Sequence, residues 1–327
     1  MTESTKRSDR SPTPSLPHEG HHPPSKRLIA TVLFFIVLAS LPLVTTGYYL
    51  GVLTFAFYVA VYAMNWDLLF GYLGEVNFGP TFLIGLGAYG AGLCNTLLNW
   101  PVWACIPVGI LAAAAGGLLL AGPALRLKGP YFGLVTLVAL LILSDLITLF
   151  ANYTGGEIGL ALPDILTDSS SGNFYYAWGL MVATALILRG IVSSPLGLIL
   201  QAIGQDADAA RTLGFNVAKF KIFAFLLSAV FSGLAGAMTV FYFGTASPGT
   251  VVALSVVVQI IIAAIVGGRR TIVGSVLGAI FLVVAGEILR PFGQLSGAAV
   301  AVLGLLVLLF APGGFVSLFH SREERNA

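Results

Sequence analysis

From Leu28 to Ala311 the chain alternates long apolar runs with short connections that carry Gly, Pro or charge. A helix needs roughly 20 apolar residues to cross the hydrocarbon of a bilayer, and most of these runs approach that length. Read against their flanking charges, they predict spans near 28–46, 48–70, 79–98, 102–122, 131–150, 174–191, 219–243, 251–267, 271–290 and 297–311. The expected fold class is therefore an all-α polytopic membrane protein with about ten transmembrane helices, several of them broken.

The breaks are written in glycine. Gly85, Gly87, Gly90 and Gly92 interrupt the third span, and Gly274 and Gly278 have the four-residue spacing of a close helix crossing. Gly71, Gly74, Gly79 and Pro80 precede the third span and predict unwound backbone there. Such backbone survives at membrane depth only where it lines a cavity or is buried in protein.

Composition sharpens this picture. Hydrophobic residues make up 57% of the chain and charged residues only 9%, with a mean hydropathy of +0.94. A soluble domain carries about 25% charge, so membrane lipids are expected to surround most of the molecule. A net charge of +2 is too small for nucleic-acid binding. The placement of the basic residues says more than their sum. With a cytoplasmic N-terminus, only Arg290 of the 16 Lys and Arg residues falls on an outer connection, as the positive-inside rule requires. Both termini are then cytoplasmic at the inner membrane, and the connection 151–173, with Glu157, Asp164 and Asp168 but no Lys or Arg, faces outward.

Candidate chemistry is sparse. Residues 1–27 are polar and read as a disordered cytoplasmic tail, with residues 316–327 a second tail and 28–315 the transmembrane domain. His18, His21, His22 and His320 lie in the tails, and Cys94 and Cys105 lack metal-ligand spacing, so no metal site is expected. No His pair, Asp pair or Ser/His set lies within the spans, which argues against an intramembrane enzyme.

The longest inner connection, 192–218, opens on Ser194-Pro195, a helix start, and reaches Gly214, a helix stop. A single helix of some five turns is expected. Its apolar side would comprise Leu198, Ala202, Ile203, Ala209, Ala210 and Leu213. Gln201, Gln205, Asp206, Asp208 and Arg211 would form the polar side. Within it, Asp208-Ala209-Ala210-Arg211-Thr212-Leu213-Gly214 resembles the Glu-Ala-Ala-x-x-x-Gly signature of ABC-importer permeases, with Asp in place of Glu. That resemblance makes Gln205, Asp206, Asp208, Ala209, Ala210, Arg211 and Gly214 the candidate ATPase-docking residues. An unspecialised amphipathic linker would carry a similar pattern.

Further stretches resemble the permease family of branched-chain amino-acid ABC importers, in its second-permease branch. They are Gly71-Tyr72-Leu73-Gly74-Glu75-Val76-Asn77-Phe78-Gly79 with Gly85-x-Gly87-Ala88-Tyr89, then Leu125-Arg126-Leu127-Lys128-Gly129-Pro130-Tyr131-Phe132. Thr154-Gly155-Gly156-x-x-Gly159-Leu160, Ser247-Pro248, Val266-Gly267-Gly268, Gly274-x-Val276-Leu277-Gly278-Ala279 and Phe310-x-Pro312-x-Gly314 follow in order. The resemblance implies a pathway shared with a second, related permease chain, two cytoplasmic ATPases and an external solute-binding protein. ATP and Mg would belong to the ATPases, since this sequence has no Gly-x-x-x-x-Gly-Lys-Ser/Thr loop and no cofactor of its own is expected. Departures fall on intramembrane polarity. Family members usually have Gln and His where this chain has Glu75 and Pro80, Glu and Arg near Leu141 and Ser144, and Glu near Gln259.

Ionisable groups inside a membrane are costly and usually functional. Gly74, Glu75, Asn77, Gly79, Asp145 and Gln259 are accordingly the candidate pathway residues, the alternative for each polar one being a hydrogen bond between helices. Thr154, Gly155 and Gly156 are either an outer mouth or a plain turn. Glu287 and Arg290, one turn apart, are expected to pair. An ion- or proton-coupled secondary transporter is the competing function, and it would have no use for a docking helix at 192–218.

Overall fold

The computed structural model describes residues 25–45, 47–127, 129–293, 295–310 and 314. Of the expected tails, residues 1–24 and 316–327 lie outside this set. The helices are α1 Ser25–Ser40, α2 Tyr48–Asp67, α3 Pro80–Leu98, α4 Val102–Arg126, α5 Pro130–Leu149, α6 Ala151–Thr154 and α7 Ser170–Val192. They continue as α8 Pro195–Gln205, α9 Ala207–Thr212, α10 Val217–Phe243, α11 Pro248–Val251, α12 Leu254–Gly267, α13 Ile272–Ile288 and α14 Leu295–Phe310. A two-residue strand, β1 Leu160–Ala161, pairs antiparallel with β2 Thr245–Ala246. The chain divides into two compact units, Met1–Leu38 and Ala39–Ala327.

Seven stretches among the described residues are long and apolar enough to cross a membrane: Tyr48–Tyr72, Pro80–Leu98, Val102–Pro123, Pro130–Leu149, Ser170–Val192, Val217–Phe243 and Pro248–Gly267. Thr31–Leu43 and Ile272–Ile288 are shorter apolar helices. Proline sets several of the starts. Pro80, Pro130, Pro195 and Pro248 each occupy a first-turn position, where the missing N–H has no intrahelical acceptor to lose.

Within the second unit, α3, α4 and α10 pack on one another along their lengths, while α2 is the hub that meets α7, α10, α12 and α13. The α3–α4–α10 contact is backbone on backbone. A Cβ at Gly87 would fall 2.3 Å from the Gly233 carbonyl oxygen, and one at Gly233 would fall 2.3 Å from the Ala113 Cβ. The third-span glycines therefore serve packing. The crossing expected at Gly274 and Gly278 also forms. Gly274 abuts the Gly267 carbonyl and Gly278 the Ala263 carbonyl, closing the α12–α13 hairpin.

By contrast α5 leans only on α3, α4 and α6 among its substantial contacts. It leaves Tyr131, Leu134, Val138, Leu141, Ile142, Leu146 and Leu149 exposed. At the end of the bundle where β1 meets β2, Asn95 on α3 donates to Asp164 and to the Trp100 carbonyl, each at 2.8 Å. The connection 151–173 is thereby anchored to the α3–α4 turn.

One sequence expectation needs correction. The inner connection is two helices, α8 and α9, because Asp206 is extended (φ −151°, ψ 102°) and its side chain caps the second helix. Asp206 Oδ1 accepts from the Asp208 and Ala209 amides at 2.9 and 3.0 Å. An aspartate that can satisfy the free N–H groups of a new helix start competes with continuation of the old one. The chain then leaves α9 at Gly214 with φ +88°, as expected of a helix-ending glycine.

Candidate functional site

The candidate site is the junction where the end of α2, the unwound segment 73–79 and the α8–α9 loop meet. After Asp67 the α2 helix widens into a π turn, Leu68–Tyr72, and from Leu73 to Gly79 the chain is non-helical until α3 begins at Pro80. π turns often mark functional positions. This break is buried rather than loose. The Trp66 indole N–H donates to the Asn77 carbonyl at 2.7 Å, and Asn77 Oδ1 accepts from the Gly79 amide at 2.8 Å. The Phe78 amide donates to Thr136 Oγ1 of α5 at 2.9 Å. A Cβ on Gly79 would lie 2.1 Å from the Thr136 carbonyl oxygen, so only glycine lets α5 approach here.

Two carboxylates bracket the π turn. Asp67 is fully buried and its Oδ1 accepts the Arg270 amide of the α12–α13 turn at 3.1 Å. Arg270 returns a bond from Nε to the Gly71 carbonyl at 2.8 Å, and the Tyr72 hydroxyl donates to the Arg270 carbonyl at 2.5 Å. Beside them the Arg269 guanidinium sits 4.5 Å over the Phe70 ring. Glu75 is buried as well, and its Oε1 forms an ion pair with Lys221 Nζ from the second turn of α10, both side chains being 7% exposed. Its other oxygen is buried without a hydrogen bond among the described residues. Burying such a pair is justified energetically only when both partners stay, because removing one leaves an uncompensated charge.

The α8–α9 loop rests directly on this junction. Gly74 has φ +74°, and a Cβ there would lie 2.8 Å from the Gly204 carbonyl oxygen. A Cβ on Gly204 would lie 2.6 Å from the Tyr72 carbonyl oxygen. Two backbones thus touch with no side chain between them, which only a pair of glycines permits. Gly197, Leu200, Ile203 and Ala210 turn inward. Gln205, Asp206, Asp208, Ala209, Arg211 and Gly214 are exposed, as are Leu198 at 68% and Leu213 at 74%. These two leucines, expected on the apolar side of the helix, both stand exposed. Arg211 and Asp208 pair across one turn at 2.5 Å.

The remaining residues singled out from the sequence lie elsewhere. Asp145 is exposed on the bare apolar face of α5. Gln259, on α12, lines a cleft of ≈ 510 Å³ with Phe55, Phe243, Ser255, Leu282 and Val300. Thr154 and Gly155 close a tight turn: the Thr154 hydroxyl donates to the Ile147 carbonyl at 2.5 Å, and Gly155 has φ +76°. Gly156 donates its amide to Thr154 Oγ1. Glu287 and Arg290 pair at 3.2 Å as expected, and Tyr48 at the start of α2 bonds to both. Lys221, Asp67 and Arg270 are site residues that sequence reasoning missed. The signal for Asp67 was its charge inside a span; nothing local marked Lys221, which reads as an ordinary cytoplasmic lysine.

Comparison with known proteins agrees with this architecture. Residues 48–312 match the family described as branched-chain amino acid transport system / permease component. The chain is 27% identical to the high-affinity branched-chain amino acid transport system permease protein LivM of Escherichia coli K12, over 90% of this chain and 76% of that one. It is 25% identical to the permease protein BraD of Pseudomonas aeruginosa, over 79% and 91%. With the permease protein LivH of Salmonella typhimurium it shares 23% identity over 79% and 90%. The apolar helices and these matches together make it a multi-pass membrane protein whose relatives are membrane subunits of transporters. The chain belongs to the branched-chain amino acid transport permease family, as a LivM-like permease subunit of an ABC importer.

Proposed function

We propose that this subunit crosses the inner membrane about ten times with both termini cytoplasmic. In this reading it carries branched-chain or related amino acids, or similar small polar solutes, through a pathway shared with a distinct second permease chain. Two cytoplasmic ATPases, which bind the ATP and Mg, drive it, and an external binding protein delivers the solute. The 192–218 loop is the ATPase-docking element. The observation that carries the reading is the α8–α9 platform: it presents Gln205, Asp206, Asp208, Ala209, Arg211 and Gly214 outward while Gly204 presses on the π-turned end of α2. A docking surface and a connection to membrane-embedded backbone are the two things a drive element needs. The names of the relatives support the solute class. The second permease is supported by the bare face of α5, where Asp145 is the charge that would meet the pathway or the partner. Gly74, Glu75, Asn77 and Gly79 form the pathway's inner boundary in this reading, Gln259 contributes from α12, and Thr154, Gly155 and Gly156 shape its outer mouth.

The test is affinity purification of the tagged chain from its native membrane in mild detergent, with mass spectrometric identification of what accompanies it. ATPase subunits are expected with the wild type and are expected to be lost from an Asp208→Lys, Gly214→Val double variant of undiminished folded yield. Residue 214 adopts a backbone conformation that a β-branched residue resists, and a lysine at 208 reverses the charge facing Arg211. If no ATPase accompanies the wild type while other membrane complexes survive the same detergent, the docking role is wrong.

A further inference from the structure

The ion pair between Glu75 and Lys221 is a buried charge contact that ties the unwound segment to the root of α10, and α10 begins directly after the α8–α9 loop. Three observations converge on it. Gly204 of α8 meets Tyr72, Leu73 and Gly74 by backbone contact, so α8 can press on the front of the break. Lys221, only seven residues beyond Gly214, holds the next residue of the same break, Glu75. Beyond Glu75 the chain stays non-helical and is braced to α5 through the Phe78 amide and Thr136.

From this arrangement we propose that Lys221 and Glu75 are positioning residues for transport, transmitting movement of the α8–α9 loop to segment 73–79 and onward to α5. The inference rests on the docking role proposed above. A packed contact such as Gly204 on Gly74 transmits a push but not a pull. A buried ion pair resists separation in both directions, because parting opposite charges in a low-dielectric interior is costly. The push and the pull therefore act on adjacent residues, Gly74 and Glu75, and α8 and α10 move the front of the segment together. A purely structural staple would hold the same two elements together without changing state. The distinction is whether the break responds to nucleotide through this pair.

The experiment uses the intact complex purified with its ATPases, and hydrogen–deuterium exchange with and without trapping by ATP, Mg and vanadate. In the wild type, trapping is expected to change exchange both in 195–213 and in 73–79. In Lys221→Met and in Glu75→Gln the change in 195–213 is expected to persist while that in 73–79 is lost. Because a single substitution strands a buried charge and can lower folded yield, the Glu75→Gln, Lys221→Met double variant is measured as well. Exchanging both ionic partners for neutral groups is often well tolerated, and in this variant the response of 73–79 is again expected to vanish in a protein of normal yield. A response of 73–79 equal to the wild type in the double variant, or in either folded single variant, overturns the proposal. If 195–213 itself fails to respond in the wild-type complex, it is the docking role that falls, so the two failures are distinguishable.

Discussion

At the scale of single residues, the junction depends on positions where one atom more would not fit. Gly74 combines a left-handed backbone with a neighbour, the Gly204 carbonyl oxygen, 2.8 Å from where a Cβ would stand. The left-handed conformation alone costs an ordinary residue about 1–2 kcal/mol, and here α8 must also retreat. Gly74→Ala is therefore expected to lower the melting midpoint of the purified protein in detergent. Gly122→Ala, whose Cβ would meet nothing within 4 Å, should leave it level or raise it slightly, since alanine favours a helix over glycine. Equal midpoints for the two variants would mean that the α8 contact is loose. Gly74 was visible in the sequence as part of a glycine-rich stretch. What it touches was not, because Gly204 is far along the chain and carries no motif.

At the scale of elements, helix association in lipid lacks the hydrophobic drive available in water, so it relies on close packing and interhelical polar contacts. Both devices appear, in different places. The α3–α4–α10 group uses small residues: Gly87, Gly233 and Ala113 bring three backbones together. The α2 hub uses polar bonds: Asp67 with Arg270, and Tyr62 with Thr239 at 2.7 Å. Overfilling the first group should separate three helices at once. Gly233→Val, whose branches would start 2.3 Å from the Ala113 Cβ, is expected to cost on the order of 1–3 kcal/mol and to reduce folded yield in membranes. Gly190→Val on α7, open to its surroundings, is the comparison and should fold as wild type. Helix limits were legible in the sequence because prolines, glycines and apolar runs are local signals. The kink at Asp206 was not read from it, since a run of helix formers conceals a capping side chain until the turn is seen.

At the scale of the second unit as a whole, the asymmetry of packing carries functional meaning. The α2 hub is almost entirely enclosed, whereas α5 shows an exposed face along its length that includes Asp145. A carboxylate directed at lipid would be expensive, and the second permease subunit proposed above would give it a protein or aqueous environment. With Cys94 and Cys105 replaced by serine, cysteines introduced at Leu134 or Ile142 are expected to cross-link to a second permease chain with a bifunctional maleimide. A cysteine at Leu140, on the buried side of the same helix, should not. Labelling at 134 and 142 by lipid-soluble maleimide with no cross-linked product would show that α5 faces lipid.

The sequence by itself determined that the chain is a membrane protein, where its apolar helices lie, that a break precedes α3, and that the 192–218 connection is helical from Pro195 and ends a helix before Gly214. Each of these follows from composition, run length or turn chemistry within a few residues, and such signals survive in one dimension. Only the tertiary structure decided what those parts do to one another. It paired Glu75 with Lys221, 146 positions away, and Asp67 with Arg270, 203 positions away. It assigned the third-span glycines to packing, and it left α5 bare. These outcomes depend on which distant backbones approach within contact distance, a property of the packed helices that no local pattern of polar and apolar residues encodes.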